Sequence, residues 1–276
     1  MCALGPMITI YKNDHCIFKI CHQRGQLLSW QPHGNKDVLW CTDEQFISLN
    51  KPIRGGIPLC WPWFSKGEHN DLTPSHGFAR ISDWTLVEEK ETDDGCHRLI
   101  YQLTSDDVAS QFSVFGEFCI TLEYIIGSRL SVRLNVNGLK GNEPPTSFGA
   151  LHTYLGVGDI HSVGIEGLGS SSINNLNNFK EQQEPEVQVV RGPTEKRFVH
   201  AASGEHIVKI HDTFNGRVIS LKQKSHSDVM LWSPWEAAGK PIADAYSDDY
   251  LRFVCVETAA ICRSVGNGMF LEISIN

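Results

Sequence analysis

Apolar and polar residues alternate with a period of two through most of the chain. The pattern is clearest at Phe118, Ile120, Leu122, Tyr124 and Ile126, and it resumes after Gly127-Ser128 as Leu130, Val132, Leu134 and Val136. Ser131, Arg133, Asn135 and Asn137 occupy the intervening positions. Successive side chains of a strand point to opposite faces, so this stretch predicts a long antiparallel hairpin with one buried face. Shorter runs of the same kind predict strands at 16–22, 27–31, 84–91, 97–103, 206–211, 217–222, 229–232, 251–257 and 269–275. Turn signals separate them: Asp93-Asp94-Gly95, Asn137-Gly138, Asn215-Gly216 and Gly266-Asn267-Gly268. No stretch keeps a 3.6-residue apolar period for three turns between caps. The pattern therefore predicts an all-β chain of packed antiparallel sheets. The segment 170–186, rich in Ser, Asn, Gln and Glu, is expected to be a long surface loop, a site rim and not a linker. Residues 1–276 are read as one domain.

Composition narrows the function more than the fold. With 276 residues, 41% hydrophobic and 20% charged, the chain has ample material for a large core. A formal charge of −8 argues against nucleic acid or an anionic membrane as partner. An anionic small molecule would need a local cluster of positive residues. The nine cysteines are odd in number, form no Cys-x-x-Cys and sit among apolar neighbours. They are expected to be reduced thiols used as small hydrophobes in a cytoplasmic protein. Neither a secretory leader nor a window of membrane-spanning length is read from the sequence.

Four segments carry more chemistry than a bare scaffold requires. The first is Ile53-Arg54-Gly55-Gly56-Ile57-Pro58-Leu59-Cys60-Trp61-Pro62-Trp63-Phe64, followed after a polar insert by His76-Gly77-Phe78-Ala79-Arg80. Its prolines and glycines break helix and ladder alike, which predicts an extended, bent loop. Two guanidiniums, an imidazole and broad aromatic faces suit a small ligand that combines hydroxyls with an anion. The competing reading is a buried turn with core aromatics and surface arginines. The second is Thr146-Ser147-Phe148-Gly149-Ala150-Leu151-His152-Thr153-Tyr154-Leu155, whose histidine is either a hydrogen-bonded core residue or a ligand group. In the third, Phe253-Val254-Cys255-Val256-Glu257-Thr258-Ala259, a glutamate follows an apolar run and is expected at or near a strand's buried end. There it must be paired, protonated, hydrogen-bonded or used. The fourth is Val229-Met230-Leu231-Trp232-Ser233-Pro234-Trp235.

In this order and at about these separations, the four segments resemble the hexose-6-phosphate mutarotases (glucose-6-phosphate 1-epimerases) of the aldose 1-epimerase superfamily. The resemblance extends from about residue 36 to residue 259. It implies a β-supersandwich whose concave face binds a sugar, with acid–base chemistry at the anomeric carbon. It places His152 and Glu257 at the family's catalytic positions, and Arg54 and Arg80 at substrate and phosphate contacts. His76 matches the histidine of the His-Gly-x-x-Arg segment, and Ser75 stands where relatives often carry Gln. Glu195, in Thr194-Glu195-Lys196-Arg197, stands where an aspartate commonly contacts sugar hydroxyls. The 170–175 region lacks the Tyr and Asp often found there.

The chemistry suits the residues. Interconverting anomers removes a proton from the C1 hydroxyl and protonates the ring oxygen O5. The ring then opens, C1–C2 rotates, and the ring recloses on the other face. A carboxylate and an imidazole serve this as base and acid, and the expected roles are Glu257 at O1 and His152 at O5. No metal or organic cofactor is required. The partner is a small-molecule sugar phosphate, and the chain is expected to act as a monomer. Two alternatives stay open: a 1-epimerase of unphosphorylated sugars, and a carbohydrate sensor that binds without turnover. Other motifs lack context. Gly167-Leu168-Gly169 has no third glycine, His200, His206 and His211 do not follow a zinc spacing, and no Gly-x-Ser-x-Gly is present.

Overall fold

The computed structural model describes residues 7–139, 143, 145–200, 204–236 and 243–276. It is nearly all β. A three-stranded sheet is formed by β1 (Ile8–Lys12), β2 (Cys16–Cys21) and β3 (Gln26–Pro32). The second sheet takes β4 (Leu59–Cys60), β9 (Gly149–Leu151), β10 (Tyr154–Gly156), β12 (Ser171–Asn174), β13 (Lys180–Gln183), β15 (Thr194–Val199), β18 (Asp228–Ser233) and β19 (Phe253–Ala260). The third takes β5 (Thr85–Glu91), β6 (His97–Thr104), β7 (Phe118–Ile126), β8 (Leu130–Gly138), β11 (Val163–Glu166), β14 (Val187–Gln188), β16 (His206–Asp212), β17 (Arg217–Lys224) and β20 (Gly268–Ile275). The order in the second sheet is β13-β12-β15-β18-β19-β9-β4, with β10 beside β19. In the third it is β14-β11-β16-β17-β20-β8-β7-β6-β5. Neighbouring strands pair antiparallel, as in β7 with β8 and β18 with β19.

The period-two pattern decides which side of each sheet is dry. In the third sheet Val132, Leu134, Ile219, Leu221, Leu271 and Ile273 face the second sheet and are at most 1% exposed. The second sheet answers with Leu151, Phe198, Val229, Leu231, Val254 and Val256, and both sets belong to one continuous apolar core. Each such side chain contributes on the order of 1.5–3 kcal/mol by leaving water. Strand β19 is buried at all eight positions because its other face is covered as well. There, small separate clusters replace the core: Cys60, Ala150, Met230 and Ala259, and beside them Tyr154, Phe253 and Cys255 with Trp40 and Trp232.

Two sequence expectations are corrected. The 170–186 segment is not one loop but the hairpin β12–β13, registered from Ser171 opposite Gln183 to Asn174 opposite Lys180. Its polar side chains satisfy one another, as in Ser172 Oγ donating to Glu184 Oε1 at 2.6 Å, so a strand forms without an apolar stripe. The strand expected at 251–257 instead runs from Phe253 to Ala260, so Glu257 lies within it and not at its end. Among the described residues no helix is long and apolar enough to cross a membrane.

Candidate functional site

Register builds the site. Thr258 lies opposite Leu151 across β19 and β9, and Cys255 lies opposite Tyr154 across β19 and β10. Both pairs obey one alignment, so it carries through the gap between β9 and β10 and sets His152 opposite Glu257. Residues two apart share a face. Phe253, Cys255 and Glu257 therefore stand on the side away from the core, with His152 and Tyr154 beside them. The same row continues outward through Trp232 of β18 to Glu195 of β15.

His152 Nδ1 approaches Glu257 Oε1 to 3.5 Å, and the two residues are 6% and 1% exposed. Nδ1 of His152 and Oε2 of Glu257 are buried without a hydrogen-bond partner. Both groups are thus desolvated and held ready to bind. Burial raises the Glu257 carboxyl well above the usual range; Glu195 adds to the rise and Arg80 opposes it. Burial lowers His152 well below an ordinary imidazole, and His76, Arg80 and Arg54 add to the fall. The pair therefore favours its neutral form, one proton resting on the carboxyl. His152 stacks on Tyr154 at 4.7 Å and meets Trp232 edge-on at 5.8 Å, which fixes its plane.

Glycines let the loop residues reach this face. Gly56 has φ +64°, and a Cβ there would lie 2.0 Å from the Leu27 carbonyl oxygen. Its N–H donates to the Trp40 carbonyl, and its own carbonyl accepts from Tyr154 N. His152 N donates to Pro58 O at 3.0 Å, so residues 56–60 run alongside 150–154 and deliver Arg54 to the site. Arg54 Nε donates to Asp244 Oδ1 at 2.6 Å. Gly77, at φ +74°, lies against the Trp61 carbonyl, which a Cβ would approach to 2.0 Å. Arg80 follows it, donating from Nη2 to the Ser75 carbonyl at 2.8 Å while its buried Nε is unpartnered. Ser75 thus meets the cluster through its backbone.

Changing Gly77 to Ala is expected to cost about 3 kcal/mol, from the clash and the left-handed φ together. Denaturant unfolding measures it, and an unchanged midpoint would contradict this packing.

His76, itself at φ +64°, accepts from Ser65 N at its Nδ1, so its proton sits on Nε2. Burial and then Arg80 push it down to about 3. It is a neutral donor 6.0 Å, ring to ring, from His152. Glu195 accepts from Asn175 Nδ2 at 2.9 Å at the outer end of the row.

His152, Glu257, Glu195, Arg54, His76 and Arg80 thus come within reach of one another, and Ser75 joins them only through the carbonyl that accepts from Arg80. Of the loop's three aromatic rings only Phe64 reaches this face, half-buried and edge-on to His76 at 4.8 Å. Trp61 and Trp63 are 0% and 3% exposed and pack into the core with Phe78. Trp40 and Trp232, both half-buried, pack with the buried Tyr154 beside the His152–Glu257 pair. Tyr154 and Asp244 were missed by sequence reasoning. Tyr154 was findable, two residues from His152 in an extended stretch. Asp244 lies in a polar stretch with no periodicity to place it. Among the described residues no cluster of His, Cys, Asp and Glu is arranged to hold a metal ion.

Comparison with known proteins adds an independent line. The aldose 1-epimerase family profile matches residues 6–271. A protein of Escherichia coli K12 named "Putative glucose-6-phosphate 1-epimerase" is 34% identical over 238 residues, covering 86% of this chain and 77% of that protein. One of the same name from Salmonella typhimurium LT2 is 33% identical over 237 residues, with coverage of 86% and 77%. Among solved structures, "a putative mutarotase (YeaD) from Salmonella typhimurium" superposes with a TM-score of 0.85 at 28% identity, covering 97% of this chain and 90% of that one.

Proposed function

The chain belongs to the aldose 1-epimerase family, and we propose that it interconverts the α and β anomers of an aldohexose 6-phosphate, glucose 6-phosphate foremost. The observation that carries this reading is the meeting of His152 and Glu257, 3.5 Å apart on one sheet face, with Arg54 and Arg80 acting on the same imidazole.

The pair holds one proton, and transfer of it from Glu257 to His152 arms the site. Glu257 then takes the proton of the C1 hydroxyl as His152 delivers one to O5, and the C1–O5 bond breaks to give the aldehyde. After rotation about C1–C2, O5 attacks the other face of the carbonyl. His152 recovers its proton and Glu257 returns the other to O1, so atoms and electrons balance. His76, protonated on Nε2, donates to a ring oxygen, Glu195 accepts from a hydroxyl at the rim, and the Ser75 backbone holds Arg80. The two guanidiniums bind the phosphate, which they match bidentately. The eight described cysteines are free thiols, which supports a reducing compartment such as the cytoplasm.

The test is anomer exchange by two-dimensional NMR with glucose 6-phosphate and with glucose. Higher kcat/KM for the phosphate ester is expected, by at least a hundredfold. Equal rates or a preference for glucose would remove the phosphate from the reading and leave a free-sugar 1-epimerase. Binding without exchange of either sugar would leave a sensor.

A further inference from the structure

We propose that Asp244 is a positioning residue for Arg54, aiming the guanidinium's two terminal amino groups at the substrate's anion. The inference rests on the phosphate reading above and deepens it. A carboxylate beside an anion site is at first sight a defect, since it repels the ligand it adjoins. The geometry gives it a use. Asp244 Oδ1 takes the Nε–H of Arg54 at 2.6 Å, with the two side chains 12% and 27% exposed. Among the described residues no protein group accepts from Nη1 or Nη2 of Arg54, so those two donors stay available. A guanidinium can grip an oxyanion either through Nε and one Nη or through both Nη groups. With Nε engaged, only the end-on grip remains.

The arrangement is also braced. The Thr42 hydroxyl donates to the Asp244 carbonyl, and Thr42 N donates to the Arg54 carbonyl at 3.1 Å. Asp244, Thr42 and Arg54 therefore close a ring of contacts in which Arg54 is held at both its backbone and its Nε. Arg54 in turn acts on Tyr154, Cys255 and His152 of the site face. A long, flexible side chain held this way loses little rotamer freedom on binding, which lowers the cost of association.

The test is a double-mutant cycle read in KM for glucose 6-phosphate. Arg54→Ala is expected to raise KM about a hundredfold, and Asp244→Ala about tenfold with kcat within twofold of the parent. Asp244→Asn keeps an acceptor for Nε–H and should return KM to within about threefold. In the Arg54→Ala background, Asp244→Ala should cost nothing further, since the guanidinium it aims is gone and only its repulsion of the anion is left to lose. Additive losses, an unchanged KM in Asp244→Ala, or a loss in Asp244→Asn equal to that in Asp244→Ala would each overturn the proposal. An unchanged KM in Arg54→Ala is a different failure, since it would remove the arginine from the anion site altogether.

Discussion

Replacing Glu257 with Gln slows anomer exchange about a thousandfold, in the range that loss of a general acid–base group produces. The fold should survive. Burial opposes charge on this carboxyl, and Gln keeps its shape and volume without a charge to bury. Glucose 6-phosphate should still bind with nearly the parental affinity, measured by calorimetry, since the arginines are untouched. The pH profile gives a second readout. In the parent the active pair carries one proton. Its rate falls in acid when His152 takes up a second proton, below the usual imidazole range, and in alkali when Glu257 loses its own, above the usual carboxyl range. A plateau through neutral pH is expected, and the alkaline limb should vanish in the Gln variant. Full activity in that variant would end the assignment of Glu257.

Arg80→Met should lower kcat/KM for glucose 6-phosphate about a hundredfold, as expected for losing charge-assisted bonds of about 3 kcal/mol. Glucose should lose less than threefold. Arg80 also sets the proton affinities of its neighbours: it holds down His152, His76 and Glu257. Removing a positive charge makes each easier to protonate, so both limbs of the bell should move to higher pH. Equal losses on the two sugars with an unmoved profile would mean that Arg80 only packs the loop. The methionine retains the aliphatic stem, which keeps that loss of packing small.

Much of this was legible because burial on one face writes itself into alternate residues. The hairpin of β7 and β8, and β16 with β17, could be read directly from the chain. The hairpin β12–β13 could not, since polar side chains hold it. Nor could β9 and β10, three residues each, which pair through neighbours far away in the chain. Glu257 was conspicuous as an acid after an apolar run. Its position inside the strand was not, because the apolar and small residues Thr258, Ala259 and Ala260 also suit a strand's exit. The fate of Trp61 and Trp63 was undecidable from sequence: a tryptophan beside a proline serves a pocket wall or a core equally well. Asp244 announced itself only through Arg54, 190 residues earlier.

The seating of His152, in the short gap between β9 and β10, against Glu257 of β19 has a consequence for how such an enzyme diversifies. Their separation is set by the ladders that fix β9 and β10 against β19 on either side of that two-residue gap, whereas Arg54, His76 and Arg80 ride on connections between more distant strands. Lengthening or reshaping those connections can change which sugar is admitted while leaving proton transfer intact. Selectivity and turnover are thus inherited on different parts of the scaffold, and one can drift without dragging the other along.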